Sequence, residues 1–214
     1  MNPRTSRGLR TALLPAALAL LAVTAGCAAA PSEVAALSPS AAAPAPTETP
    51  APVPGSTSTP APGSWDGVEI PAGLSLVVVP SADDAETAAA IAAIESYAAA
   101  HDATVAVARG ADLERMLLDS AATGPAAVIT LGPAGLDAID RASASNLAVP
   151  FLLIGAQLPE PTDNVAAVIW PGADSRASDG GVAGSLAEHA ASAVSLGISA
   201  VVEGRTGTVF DLGA

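Results

Sequence analysis

The run Leu74-Ser75-Leu76-Val77-Val78-Val79 constrains this chain more than any other stretch. Six residues are too few for a helix core, and three consecutive β-branched valines suit a pleated strand. The run is apolar on both faces, so it reads as a central strand covered from both sides. It ends at Pro80 and opens into Ser81-Ala82-Asp83-Asp84, where either aspartate suits the N-cap of a following helix.

Downstream the same alternation repeats. Ala88, Ile91, Ile94, Tyr97 and Ala98 fall near helical spacing, and Thr104–Ala108 is a second short strand. A helix over Asp112–Ser120, with Leu113, Met116 and Leu117 inward, stops at Gly124-Pro125. Strands at Ala127–Leu131, Phe151–Ile154 and Val165–Trp170 follow, with a short helix from Leu136 to Ser145 between the first two. Leu158–Asn164 holds two prolines and no helical stripe, so a loop is expected there, even if the strands it joins are parallel neighbours. Asp174–Gly184 reads as a surface loop. A long helix from Ser185 then ends at Gly204, placed as a left-handed C-cap, before a last strand at Thr208–Leu212. This order predicts an α/β fold: a three-layer α/β/α sandwich with a mostly parallel sheet and right-handed crossovers.

The N-terminal part has a different chemistry. Arg4, Arg7 and Arg10 precede the apolar run Thr11–Val23, the length of a signal-peptide core and too short to span a bilayer permanently. Thr24-Ala25-Gly26-Cys27 follows, and Cys27 is the only cysteine, so no intramolecular disulfide forms. Beyond it the chain is rich in Ala, Pro, Ser and Thr, with Pro-Ala-Pro at residues 44–46, 50–52 and 60–62. Proline fixes φ and removes the amide donor, so this stretch is expected to stay extended. The expected organisation is therefore a signal peptide over 1–26, a tether over 27–64 and one α/β domain over 65–214.

Charge excludes some functions. The formal charge is -13, and without the three leader arginines five basic residues face 21 acidic ones, a formal -16. Such a surface repels nucleic acid, so no nucleic-acid partner is expected. The chain has no lysine, which removes a Walker-type phosphate loop, and no Gly-x-Ser-x-Gly elbow occurs. His101 and His189, the only histidines, lack partners at metal-ligand spacing. No metal, cofactor or enzymatic activity is expected.

Ligands of open α/β sheets sit outside the carboxyl ends of the strands. The candidate ligand-binding residues are therefore Ser81, Asp83, Asp84, Arg109, Gly132, Gln157, Trp170 and Asp174, with Gly135 and Arg176 on the same rim. Each also has a plain structural use: Asp83 and Asp84 as caps, Arg109 in a surface ion pair, the glycines in turns, Trp170 as core.

Ala25-Gly26-Cys27 resembles the lipobox of bacterial lipoproteins of the actinobacterial type, which implies lipidation of Cys27 and anchoring at the extracytoplasmic face of the cell membrane. The domain is similar to one lobe of the type I periplasmic binding proteins of the basic-membrane-protein group. That resemblance rests on strand order, on Val-Ile-Trp-Pro-Gly-Ala-Asp-Ser (Val168–Ser175) after a strand, and on the final helix–Gly–strand unit. It implies a solute-binding or accessory component of an uptake system, with a small-molecule solute or an envelope protein as partner. The alternative is an interaction or structural envelope lipoprotein with no small ligand. Two departures stand out. The chain has room for one lobe, and Ser81-Ala82-Asp83-Asp84-Ala85-Glu86 replaces the family's Asp-Lys-Ser-Phe-Asn-like segment.

Overall fold

The computed structural model describes residues 53–176 and 186–213. The expected signal peptide, Cys27, most of the expected tether and most of the Asp174–Gly184 loop lie outside the described residues.

The elements in chain order are β1 (Ser56–Ser58), β2 (Ser75–Pro80), α1 (Ala85–Ala100), β3 (Thr104–Val107), α2 (Leu113–Ala122), β4 (Ala127–Leu131), α3 (Leu136–Ser145), β5 (Phe151–Ile154), β6 (Val165–Ile169), α4 (Leu186–Val202) and β7 (Thr208–Asp211). All strands join one seven-stranded sheet in the order β1-β7-β6-β5-β4-β2-β3, and every pairing is parallel. The α/β class and the layered architecture expected from the sequence are present.

Strand alternation builds two cores. Leu76 and Val78 of β2, Ile129 of β4, Leu152 of β5, Val168 of β6 and Phe210 of β7 face one side, where α1 and α4 supply Ile91, Ile94, Leu186, Val194 and Ile198. Val79, Val128, Leu153, Ala167 and Val209 face the other, where α2 and α3 supply Leu117, Leu136, Ile139 and Ala142. A parallel sheet survives only when both faces are covered, and the two-sided apolar runs provide for that. In α4 the sheet-facing positions include Gly197, where an added Cβ would lie 2.7 Å from both Leu152 methyls. The helix axis therefore sits closer to β5 than any side chain at that position would allow.

Helix ends follow local chemistry. Asp84 and Asp112 cap α1 and α2, accepting from the backbone N–H of Thr87 at 2.7 Å and of Arg115 at 3.0 Å. At the end of α4, Gly204 has φ +68°, with Arg205 N–H bonding Ala200 C=O and Gly204 N–H bonding Val201 C=O, a Schellman pair. Asp102 fills the equivalent left-handed place after α1, at φ 51°.

One feature differs from the sequence reading. Ser56–Ser58, assigned to the tether, forms edge strand β1 in register with Thr208–Phe210 of β7. Propensity does not favour Ser-Thr-Ser there; a strand of three residues is held by the unsatisfied outer edge of β7. Ahead of β2, Trp65 packs in the first core at only 7% exposure, its carbonyl accepting from Ser199 Oγ of α4 at 3.4 Å. As expected, β5 and β6 are joined by a loop without a helix, and the two strands are parallel neighbours. Leu158 of that loop plugs the second core in place of a helical stripe.

Candidate functional site

The sheet order fixes where a crevice opens. From β2 the chain passes through α1 on one face to β3, then through α2 on the other face to β4. Connections leave β2 and β4 in opposite directions, so their carboxyl ends form the topological switch point where open α/β sheets take ligands. Pro80 pairs with Leu131 at this level.

Ser81 stands at the switch point and donates from Oγ to the Leu131 carbonyl at 2.9 Å, spanning the two strand ends. Asp83 Oδ1 lies 3.3 Å from Arg109 Nη1. The two side chains are 97% and 54% exposed, so the pair contributes little stability and its groups remain open to another partner. Pro80, Ser81, Ala82, Asp83, Arg109 and Gly110 line a cavity of about 250 Å3. Asp84 is turned to its cap. The Thr87 backbone N–H, helped by the Thr87 side chain, holds its carboxyl below the usual carboxylate value.

The other rim candidates form a second group. Strands β4 and β5 separate β2 from β6, about 14 Å across three inter-strand spacings. Gln157 is 5% exposed and engaged at both ends of its amide: Nε2 donates to the Asp174 carbonyl at 3.0 Å, and Oε1 accepts from Arg176 Nη2 at 3.1 Å. Its backbone N–H donates to the Ser175 carbonyl at 3.0 Å. Gln157 thus laces the loop after β5 to the loop after β6. Trp170 is 1% exposed and stacks on His189, ring centroids 4.7 Å apart and planes 7° from parallel. Asp174 contributes its carbonyl to this lacing while the residue itself is exposed. Gly132 and Gly135, at φ +74° and +78°, make the turn into α3, and a Cβ on Gly135 would collide with Leu113.

The structure therefore brings Ser81, Asp83, Asp84 and Arg109 together and sets Gln157, Trp170 and Asp174 apart, with Gly132 between. Sequence reasoning passed over several residues. Gly110 joins the cavity lining. Thr130, one residue before the end of β4, has a buried Oγ1 without a hydrogen-bond partner among the described residues. Asn164, before β6, donates from Nδ2 to the carbonyls of Ser143, Asn146 and Val149 at 3.1, 3.2 and 2.9 Å. A lone Asn beside an apolar run carries no periodic signal. Trp65 did have one: it is the first aromatic side chain of the chain, after a long stretch rich in Ala, Pro, Ser and Thr.

A hydroxyl, a carboxylate and a guanidinium around an open cavity can hydrogen-bond a small polar molecule. Among the described residues no cluster of His, Cys, Asp or Glu has metal-binding geometry. Fold and rim together define a doubly wound, all-parallel α/β domain with a polar cavity at the carboxyl ends of its central strands.

No family model matches the chain, and no curated protein matches it. Among solved structures it is similar to ABC transporter system solute-binding proteins from Aeropyrum pernix, at 17% identity and a TM-score of 0.43, covering 46% of this chain and 29% of that one. It is also similar to a periplasmic ribose ABC transporter from Conexibacter woesei, at 14% identity and a TM-score of 0.33, covering 69% of this chain and 56% of that one. The chain thus spans between about a third and just over half of the length of these proteins.

Proposed function

We propose that this chain is a lipid-anchored extracytoplasmic domain built like one lobe of a type I periplasmic binding protein, of the basic-membrane-protein kind, and that it takes a small polar solute as a solute-binding or accessory component of an uptake system. The observation that carries the binding role is the Ser81–Asp83–Arg109 group around its cavity at the switch point. An exposed carboxylate and guanidinium offer opposite charge and donors and acceptors at one place, suited to a hydroxylated or zwitterionic molecule. Anchoring rests on the sequence alone: the basic leader, the apolar run, the small residues before Cys27 and the proline-rich spacer. We read the role as non-enzymatic, since the hydroxyl beside Asp83 at the cavity, Ser81 Oγ, donates to the Leu131 carbonyl and to no base.

A thermal-shift screen of the full chain carrying Cys27→Ser, against nucleosides, sugars and amino acids, tests the binding role. A ligand at a hundred times its Kd adds about 2.7 kcal/mol of stability. Arg109→Ala is expected to abolish that shift while changing the unliganded protein by less than about 1 kcal/mol, because the pair it breaks is exposed. A folded protein that shifts with none of these compounds removes the solute role. Incorporation of labelled palmitate by the wild-type chain and not by Cys27→Ser tests the anchor separately.

The second reading, an envelope lipoprotein acting through protein contacts with no small ligand, is favoured by one observation: the outer edge of β3 has no strand beyond it among the described residues.

A further inference from the structure

Among the described residues the sheet has two edges, and they differ in chemistry. β1 is three polar residues long, with Thr59-Pro60 behind it, so it offers little to a further strand. β3, Thr104-Val105-Ala106-Val107, has no charge, proline or bulge, the devices that normally blunt an edge. Its inner side is fully used. Thr104 N–H donates to Leu74 C=O and Ala108 N–H to Val78 C=O, so the even-numbered residues serve β2. By the alternation of a parallel ladder, the N–H and C=O of Val105 and Val107 point to the outer edge. The face toward α2 is also open there: Thr104 and Ala106 are exposed, beside a groove of about 720 Å3 with Val77 and Met116 in its walls.

We propose that this edge pairs with the same edge of a second copy of the chain, antiparallel about a two-fold axis through Ala106. Two constraints select that register. A two-fold perpendicular to the sheet keeps each side chain on its own face, so residues of like parity must lie opposite one another. The outward groups belong to Val105 and Val107; an axis at either valine also keeps parity but sends one of the two to a partner outside the strand, whereas the axis at Ala106 sets Val105 of each copy opposite Val107 of the other, both pairs exchanging their N–H···O bonds within β3. The small Ala106 side chains then meet on the axis without a clash.

Charge complementarity supports the same occupant. Asp102 precedes the strand and Arg109 follows it, both exposed. In this register Arg109 of one copy lies opposite Ala103 of the other, one residue from its Asp102, and the symmetric contact forms at the far end. Arg109 has donors to spare beyond its Asp83 contact, so it can accept this second carboxylate. A strand with like charges at its two ends would be repelled by its own copy; this one is self-complementary.

Cysteine scanning in the full chain tests the pairing, because Cys27→Ser leaves a background without thiols. Ala106 and its symmetry mate form a non-hydrogen-bonded pair with Cα atoms about 4.5 Å apart, inside the roughly 4.4–6.8 Å span of a disulfide. Ala106→Cys is therefore expected to form a covalent dimer under mild oxidation. Thr104→Cys, whose mate lies about 14 Å away along the edge, is expected to stay monomeric. Val105→Pro removes an outward N–H and leaves the β2 ladder intact. Combined with Ala106→Cys it should lose most of the cross-link while its circular dichroism is unchanged. Equal cross-linking of the 104 and 106 variants, persistence of the dimer with Val105→Pro, or no dimer from Ala106→Cys would overturn the proposal, the last leaving this edge to a different occupant. None of these outcomes depends on solute binding.

Discussion

The side-chain amide of Asn164 donates to the Val149 carbonyl at 2.9 Å and is shared with the carbonyls of Ser143 and Asn146. Asn164 is 7% exposed, and Thr162 Oγ1 donates to its Oδ1 at 2.6 Å. One amide thus satisfies the carboxyl end of α3, the turn into β5 and the start of β6. It closes a connection between parallel neighbours that lacks a helix. Asn164→Ala takes the side-chain donor from the Val149 carbonyl, while Ser143 and Asn146 keep their backbone partners, and is expected to cost about 1–3 kcal/mol, read as a lower urea midpoint with unchanged m. Asn164→Asp should be no better, since it turns a carboxylate oxygen toward three acceptors.

Gly197 should resist the substitution that helix propensity favours. Alanine gains up to about 1 kcal/mol over glycine in a helix interior. Here its Cβ would meet the Leu152 methyls at 2.7 Å, and Leu152 is fully buried. Gly197→Ala is expected to be net destabilising by about 1–3 kcal/mol, the usual cost of overpacking. Adding Leu152→Ala should cost less in that background than in the wild type. Additive single effects in a double-mutant cycle would contradict the packing account.

Thr130 points the other way. Its hydroxyl is buried between Val79 of β2 and Leu153 of β5, its register partners, without a hydrogen bond among the described residues. Thr130→Val keeps the shape and removes the orphaned group. A gain of about 1 kcal/mol is expected. A loss, measured by equilibrium unfolding, would mean that the hydroxyl has a partner after all.

Asp84 gives the protein an acid-side dependence of known sign. Its folded pKa is lowered by the Thr87 hydrogen bonds, so its stabilisation is fully present above the unfolded carboxyl's ordinary pKa of about 3.9. It is lost as pH falls through the lower folded value. Asp84→Asn retains a capping oxygen and should flatten this part of the pH profile with little loss at neutral pH. Asp84→Ala should cost about 1 kcal/mol at neutral pH. Parallel acid-unfolding curves for wild type and Asp84→Asn would exclude the effect.

Much of the fold was legible because its signals are local. Leu74–Val79, Ala127–Leu131 and Val165–Trp170 announce strands by composition and length, while Asp84, Asp112 and Gly204 mark helix ends through bonds to their own neighbours. The candidate site was legible as a rim and not as a cluster. Ser81 and Arg109 were readable as strand-end residues, but Gln157 and Trp170 occupy equivalent strand ends and are consumed by internal contacts.

The sequence by itself determined the number and type of the central elements, because apolar period and capping act within a few residues. Only the tertiary structure decided that Ser56–Ser58 belongs to the sheet, that Trp65 anchors the lead-in and that Asn164 replaces a crossover helix. It also decided that the polar rim divides into an open group at β2 and a closed one at β5 and β6. Each of these depends on what a distant segment leaves unsatisfied: an edge carbonyl, an apolar gap, a helix end. A polar side chain has no fixed role until the fold supplies the group it must satisfy.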